Sequence, residues 1–456
     1  MTTDNVPSKR VCVVGGGPAG ALCARAMAER GFVVTLCEAY PHPSETLRGN
    51  KAYCIVVSPR GQRALHRVGI ASVPGAIICT ALARHTPKGI KEMKHPDHPS
   101  MVVSRKSLAG YLLDEASKAG VQVKLCHKLV DIDFRRKIAS FEKADKSTVR
   151  LSYDLLVGCD GSNSIVRRKM AETLRDSFQV RMEQDTMEYQ VAVLTKTYPE
   201  MARNKEEASS IPFEMVHSWN DRPSNSLCLG FPHEEGGLLF TVIFPGGKLA
   251  EFKERDTYKE ALVSLLPDIS DEYHDEIIAQ LKQGEPSTGG TCVWPSVLGS
   301  APHGVVLVGD SGHGMYPSLG QGANCALESA AVFYSAVQDL VVSKDWPERL
   351  VTDFNDRRYE NAMAAVTLTF NGIGGNKSRH AKNAPVLFMA QVATIMLLHK
   401  VSFGAVPRPA MMRLMYGEDE CYSSIMRHNL LYEKLTLFGV WVVLPIACYF
   451  GLKVYN

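Results

Sequence analysis

The segment VCVVGGGPAGALCARAMAERGFVVTLCEA, residues 11–39, constrains the fold more than any other stretch of the chain. Val11 to Val14 is an apolar, β-branched run with the length of a buried parallel strand. Gly15, Gly17 and Gly20 then spell GxGxxG, with Ala19 inside the turn, and Ala21 to Arg30 has the small and apolar spacing of a helix packed on a sheet. Phe32 to Cys37 is a second strand, closed by Glu38. Glycine supplies 36 of 456 residues, so the turn alone says little. Its context says more: a strand before, a helix after and an acid about twenty positions on are what a dinucleotide site needs. Bare glycine backbone lets a pyrophosphate approach, the helix N-terminus offers unpaired N–H groups, and Glu38 can accept hydrogen bonds from ribose hydroxyls. A tight strand-to-helix turn beside a surface glutamate is the plain alternative, and FAD and NAD both use such a turn.

Two later stretches repeat the pattern of strand followed by acid. DLLVGCDGSNSIVR (Asp154–Arg167) runs the strand Tyr153 to Gly158 into Asp160 and Gly161, and VVLVGDSGHGMYPSLGQGANCALESA (Val305–Ala330) runs Val305 to Val308 into Gly309 and Asp310. Each sets a carboxylate at the carboxyl edge of a parallel sheet, where ligands sit in such folds. Pro317, Gly320, Gln321, Gly322 and Asn324 make a loop whose bare backbone can lie against a flat ring. The helix from Ala323 onward aims its N-terminus at the same place, which suits a ring that must carry negative charge. Between the motifs, residues 175–290 alternate strand-like runs (Tyr189 to Lys196, Leu238 to Phe244) with polar loops and an acidic helical stretch over Asp268 to Lys282, as an inserted antiparallel layer would. After Glu328 the chain reads as helical for about a hundred residues.

With 45 % hydrophobic and 22 % charged residues, the chain can bury the cores of two or three domains. Lys+Arg 51 against Asp+Glu 48 leaves a net charge of +3, too balanced for a nucleic-acid footprint. The 12 cysteines are scattered, with no CxxC pair and no Cys/His cluster at zinc spacing, so they read as buried thiols in a reducing compartment and not as a metal site. The polar N-terminus, MTTDNVPSKR, lacks the apolar core of a secretory signal. Near the other end, Leu435–Leu452 (LTLFGVWVVLPIACYFGL) carries no charge and is bracketed by Lys434 and Lys453. At helical rise it reaches ~27 Å, enough to cross a bilayer with little tilt. It reads as a single-pass anchor that leaves the catalytic body in the cytosol, on the mitochondrial outer membrane or the endoplasmic reticulum; a buried or dimer-forming helix is the alternative. Ala384–Leu398 is uncharged but shorter, and reads as a core or interfacial helix.

In this order and at this spacing, GxGxxG, DG and GD followed by P-x-x-G-Q-G-x-N resemble the single-component FAD-dependent aromatic hydroxylases, the group A flavoprotein monooxygenases. Within that superfamily the chain is most similar to the kynurenine 3-monooxygenases, through SPRGQRAL (Ser58–Leu65), VVSRKSL (Val102–Leu108), HSWNDRP and LGFPHEEGGLLFTVIFP (within His217–Pro245) and the apolar C-terminus. The resemblance implies an α/β fold: a Rossmann-like FAD-binding domain (1–75, 101–175 and 290–345) interleaved with an antiparallel β-sheet substrate domain (76–100 and 176–289). A helical C-terminal region (346–433) and the apolar anchor helix (435–452) would follow. It also implies FAD, with NADPH as co-substrate. Gly15, Gly17, Ala19, Gly20 and Glu38 would hold the ADP half, Arg105 with Asp160 and Gly161 would approach phosphate and ribose, and Gly309 with Asp310 would take the ribityl chain. Pro317, Gly320, Gln321, Gly322, Ala323 and Asn324 would frame the isoalloxazine. Arg48 and Arg60 are further phosphate candidates, with a solvated surface role as the alternative for each.

The implied reaction is monooxygenation: NADPH reduces FAD, the reduced flavin takes up O2, and one oxygen atom passes to an aromatic or other electron-rich small molecule in a pocket that excludes water. His217, Asn355 and Tyr359 are the candidate catalytic or substrate-pocket residues, against ordinary structural polar roles; His313 reads as a structural loop residue. Kynurenine 3-monooxygenases grip an amino-acid carboxylate with an arginine and tyrosines. Here Thr80 or Leu82 stands where that arginine is expected, Arg84 is displaced, and residues 91–100 hold no tyrosine. Met411, Met412 and Met415, with Leu414, stand where the later tyrosine belongs. They are either core or the lining of a pocket for a more hydrophobic substrate. An FAD-dependent epoxidase or reductase of a lipophilic isoprenoid or polyketide is the alternative within oxidoreductases, and a flavin-binding sensor or scaffold is the alternative outside them.

Overall fold

The computed structural model describes residues 9–46, 53–95, 97–371, 384–416 and 419–438. Its central sheet has six strands in the order Gly299–Ser300, Val305–Leu307, Leu155–Gly158, Arg10–Val14, Val33–Cys37 and Gln122–Lys124. All pairs are parallel except the Gly299–Ser300 edge. Strands buried on both faces must be apolar throughout, and they divide their side chains by alternation. Val11, Val13, Val34 and Leu36 face helices Pro18–Glu29, Arg105–Lys118 and Gly322–Asp339. Cys12, Val14 and Cys37 face the antiparallel meander His127–Asp133, Ile138–Lys143, Thr148–Ser152 and helix Ile165–Thr173.

A second, seven-stranded sheet runs Ser287–Thr288, Met187–Leu194, Leu238–Pro245, Ser226–Pro232, Val216–Asp221, Ala81–Thr86, Gly89–Lys94. The hairpin of residues 81–94 thus joins strands that come more than a hundred positions later, and the joint between Val216 and Leu82 is the sheet's one parallel pair. One face of this sheet carries Ala192, Leu194, Trp219, Phe240 and Val242 against helices Tyr258–Leu265 and Asp271–Gln283. The opposite face carries Val191, Val216, Phe231 and Leu239 against Cys54, Cys79 and Val102 of a three-stranded sheet, Cys54–Val57, Ser100–Ser104, Ile77–Cys79.

The C-terminal region is helical: Trp346–Asn371, Ala384–Val401, Ala410–Tyr416 and Tyr422–Phe438. Among the described residues no helix is long and apolar enough to cross a membrane. The anchor expected at Leu435–Leu452 lies, from residue 439 on, outside the described residues.

Candidate functional site

Glycines at the sheet's carboxyl edge bring the three motifs into contact. Gly15 has φ +101°, and a Cβ there would sit 2.4 Å from the Cys159 carbonyl oxygen; one at Gly20 would sit 2.0 Å from the Gly15 oxygen. Strand, DG loop and helix can therefore meet only through bare backbone. Gly309 closes the third side, since a Cβ on it would lie 3.1 Å from the Ala19 Cβ. On the outer side the same loops are open: a Cβ on Gly17, Gly161 or Gly320 would meet nothing within 4 Å. Glu38 leans over the turn, its carboxylate accepting from Gly16 N at 2.6 Å and Tyr40 N at 3.0 Å.

The two aspartates behave differently. Asp160 accepts from Ser164 Oγ (2.5 Å) and from the amides of Ile165 (2.6 Å) and Val166 (3.1 Å), so it caps helix Ile165–Thr173. The expected ribose contact competes with three hydrogen bonds already made, and the DG loop offers the ligand its backbone more than this side chain. Asp310 lies open to the recess, and its carboxylate accepts no hydrogen bond among the described residues. Desolvation raises its pKa, while Arg105 and Arg167 oppose that rise. Arg105, whose guanidinium sits 5.5 Å over the Tyr53 ring, likewise makes no ion pair among the described residues. An orphan carboxylate, a cation aimed at the same recess and a glycine-floored opening are the donor and acceptor set that FAD requires, so these residues fit FAD.

Arg167 was not singled out in the sequence, yet it joins the second motif to the third, donating to the carbonyls of Ser162 and Ser311, the latter at 2.7 Å. The ring-facing loop is pinned from several sides. Asn324 accepts from Ser58 N (2.9 Å) and donates to the carbonyls of Val56 (3.0 Å) and Gly320 (2.9 Å), while Gln321 Oε1 accepts from the Tyr422 hydroxyl at 3.0 Å. Pro317 opens the 3-10 turn Pro317–Leu319, and Gly322 and Ala323 begin the helix that ends at Asp339. Arg60, a phosphate candidate by sequence, is instead buried with its guanidinium on Glu328 at 2.9 Å. Arg48 lies outside the described residues.

The three candidate catalytic residues are not gathered together. His217 shares the sheet face of Trp219, opposite the one that meets Cys54 and Val102. Its Nδ1 lies 3.0 Å from His85 Nε2, and His85 Nδ1 lies 2.5 Å from Asp268, which also accepts from Tyr198 and Trp219. Asn355 accepts from Leu298 N at 2.9 Å and Tyr359 donates to the Pro295 carbonyl at 3.1 Å, so both tie helix Trp346–Asn371 to the strand Thr291–Pro295 and its continuation. What sequence reading missed is the aromatic pair in front of the recess: Tyr53 and Tyr189, whose rings meet edge-on at 6.3 Å. Their two-residue spacing from flanking apolar residues was the available signal.

His313 is fully buried against Ser329 Oγ at 2.7 Å. Burial pushes both His217 and His313 down to about 3, with the charge of His85 adding to it in the first and that of Arg358 in the second. A histidine with a depressed folded pKa contributes stability above its unfolded value of ~6.5 and loses it as pH falls. Each residue should remove about 2 kcal/mol between pH 7 and pH 5. Urea midpoints at those two pH values test this: the difference should shrink in His313→Gln by that residue's share, and an unchanged difference would refute it.

A family model for the FAD binding domain matches residues 8–235. The kynurenine 3-monooxygenase of Candida albicans is 25 % identical over 341 residues, covering 72 % of each chain, and that of Christiangramia forsetii is 26 % identical over 373 residues, covering 79 % of each. Among solved structures, the tetrameric 2-methyl-3-hydroxypyridine-5-carboxylic acid oxygenase aligns over 83 % of this chain and 93 % of its own, with TM-score 0.63 and 21 % identity. P. aeruginosa PqsL in complex with 2-aminobenzoylacetate aligns over 79 % and 94 %, with TM-score 0.56 and 20 % identity. With half its length under the family model, and with the glycine turn and the Asp310 recess inside one fold, the chain belongs to the FAD binding domain family.

Proposed function

We propose that the chain is an NADPH- and FAD-dependent monooxygenase acting on an aromatic or other electron-rich small molecule. The observation that carries this is the recess where Asp310 and Arg105, both without protein ion pairs among the described residues, face the open side of Gly17, Gly161 and Gly320. Bound FAD would supply the redox chemistry with O2. The chain's own residues bind and orient: Gly15 to Gly20 and Glu38 at the adenosine end, Asp310 at the sugar alcohol, and residues 317–324 with the N-terminus of helix Gly322–Asp339 along the ring. The FAD-binding part corresponds to 1–75, 101–175 and 290–345, and the substrate part to 76–100 and 176–289.

We place the substrate at the edge of the apolar sheet face of Val191, Val216, Leu229, Phe231 and Leu239, with Leu82 packed among them, which turns toward Cys54 and Val102 of the FAD-binding half. On the same face Thr241, opposite Val191 and Leu229, buries a hydroxyl that finds no hydrogen-bond partner among the described residues. This favours a ring with one polar substituent over an amino acid. His217, Asn355 and Tyr359 then support the pocket walls through the contacts described above. The test is a substrate screen that follows NADPH oxidation, peroxide release and product mass. A coupled product heavier by one oxygen supports the proposal, a product heavier by two hydrogens supports a reductase, and no NADPH oxidation with any aromatic refutes both.

The apolar run at Leu435–Leu452 supports attachment to a membrane, the body remaining on the cytosolic side. A second apolar surface, among the described residues, supports it too: Phe403 is 99 % exposed, with Leu397 at 62 % and Val401 at 66 %, beside Lys400. The full chain should float with phosphatidylcholine–phosphatidylserine vesicles, and Phe403→Ser should reduce the floated fraction several-fold once residues 435–456 have been deleted. A chain that stays in the aqueous fraction would rule the attachment out.

A further inference from the structure

We propose that Tyr422 is a positioning residue for the flavin: through Gln321 it fixes the ring-facing loop, so that the C-terminal helical region completes the FAD site. This rests on FAD lying along residues 317–324. Gln321 immediately precedes helix Gly322–Asp339 and is 2 % exposed. Two of the three hydrogen bonds of its amide reach the C-terminal region: Oε1 accepts from Tyr422 Oη at 3.0 Å and Nε2 donates to the Leu414 carbonyl at 3.4 Å, while the third runs from Nε2 to the Leu319 carbonyl at 3.1 Å within the loop. The flanks of the loop are held elsewhere, Asn324 by the strand Cys54–Val57 and its continuation, and Ser318 by the Thr369 carbonyl at 3.2 Å. Between them stands Gly320, left-handed at φ +61° with open space on its Cβ side, the natural place for the loop to shift if Gln321 is released.

Tyr422 is built to stay. The Arg60 guanidinium lies 4.2 Å over its ring, Arg60 also donates to the Glu420 carbonyl, and the amide of Ser423 donates to Asn361 Oδ1 at 3.1 Å. Burial raises the phenol's pKa, which keeps its proton in place to donate. Removing the hydroxyl leaves Gln321 Oε1 as a buried acceptor without its donor, an asymmetry that favours a different loop conformation. The helix N-terminus that the loop aims at the ring would then be misdirected, and the reduced, anionic flavin would lose more stabilisation than the oxidised form.

The experiment compares holoenzyme carrying Tyr422→Phe with Asn361→Ala, which loosens the same segment without touching Gln321. Tyr422→Phe should weaken FAD binding by about 3- to 10-fold, shift the visible absorption of the bound flavin and move its reduction potential to a more negative value. Asn361→Ala should lower thermal stability and leave spectrum and potential unchanged. In a Gln321→Leu background, Tyr422→Phe should add nothing further. Equal spectra and potentials in parent and Tyr422→Phe would overturn the proposal, as would equal shifts in Asn361→Ala. A parent chain that binds no FAD would instead sink the functional reading on which it rests.

Discussion

Asp310→Ala is expected to give a folded protein that has lost its affinity for FAD by about a hundredfold or more. A charge-assisted hydrogen bond contributes roughly 1.5–3 kcal/mol, and a carboxylate with both oxygens free would hold the sugar alcohol through one or two of them. Asp310 has the capacity to do so, because its oxygens accept nothing from the protein among the described residues. For the same reason the apoprotein should not suffer. The open carboxylate makes no hydrogen bond or ion pair to the protein among the described residues, so removing it costs the apoprotein no contact. The urea midpoint of apo Asp310→Ala should therefore equal or exceed that of the parent, while Asp310→Asn, which still offers a carbonyl oxygen, should fall between the two in affinity. Titration of the apoproteins with FAD by fluorescence measures the first effect and denaturation the second. Unchanged affinity in Asp310→Ala would remove Asp310 from the site.

The contrast between the two aspartates marks how far the sequence could be read. The glycine turn, the DG and GD motifs and the loop of residues 317–324 were legible because each depends on local rules: apolar strand, bare turn, helix N-terminus. What Asp160 does with its oxygens was not, although Ser164 and the helix after it are only a few residues away, since a capping carboxylate and a ligand-binding one look alike in the chain. The placement of His217 is illegible for a different reason. A two-residue period puts His217 and Trp219 on one sheet face, but which face meets the FAD-binding half is decided by pairing with strands from 81–94 and 187–245. Arg60 reads as a phosphate candidate or a solvated surface residue because its partner Glu328 lies 268 positions away, and nothing local marks Tyr422 because Gln321 is 101 positions distant. Long-range polar contacts leave no period in a sequence, whereas buried apolar faces do.

Glu328 should show the largest stability effect of any single side chain near the site. Its two oxygens each take an arginine at 2.9 Å, Arg60 from helix Pro59–Arg67 and Arg358 from helix Trp346–Asn371. Those arginines are 5 % and 2 % exposed, so neither can turn to water if the carboxylate is removed. Glu328→Ala removes the carboxylate shared by two buried cations, which costs about 3–5 kcal/mol, whereas replacing all three groups with apolar residues of similar volume should cost far less. The pH dependence separates this from mere loss of packing. Burial alone would raise the Glu328 pKa, but Arg358 and Arg60 outweigh it and bring the carboxyl below its usual range. An acid depressed in the folded state contributes its stability above the unfolded value of ~4.3 and loses it as pH falls through the folded one. The gap in urea midpoint between parent and Glu328→Ala should therefore be full at pH 7 and narrow below about pH 4. A gap that stays constant with pH would assign the loss to the cavity left by the side chain and not to its charge.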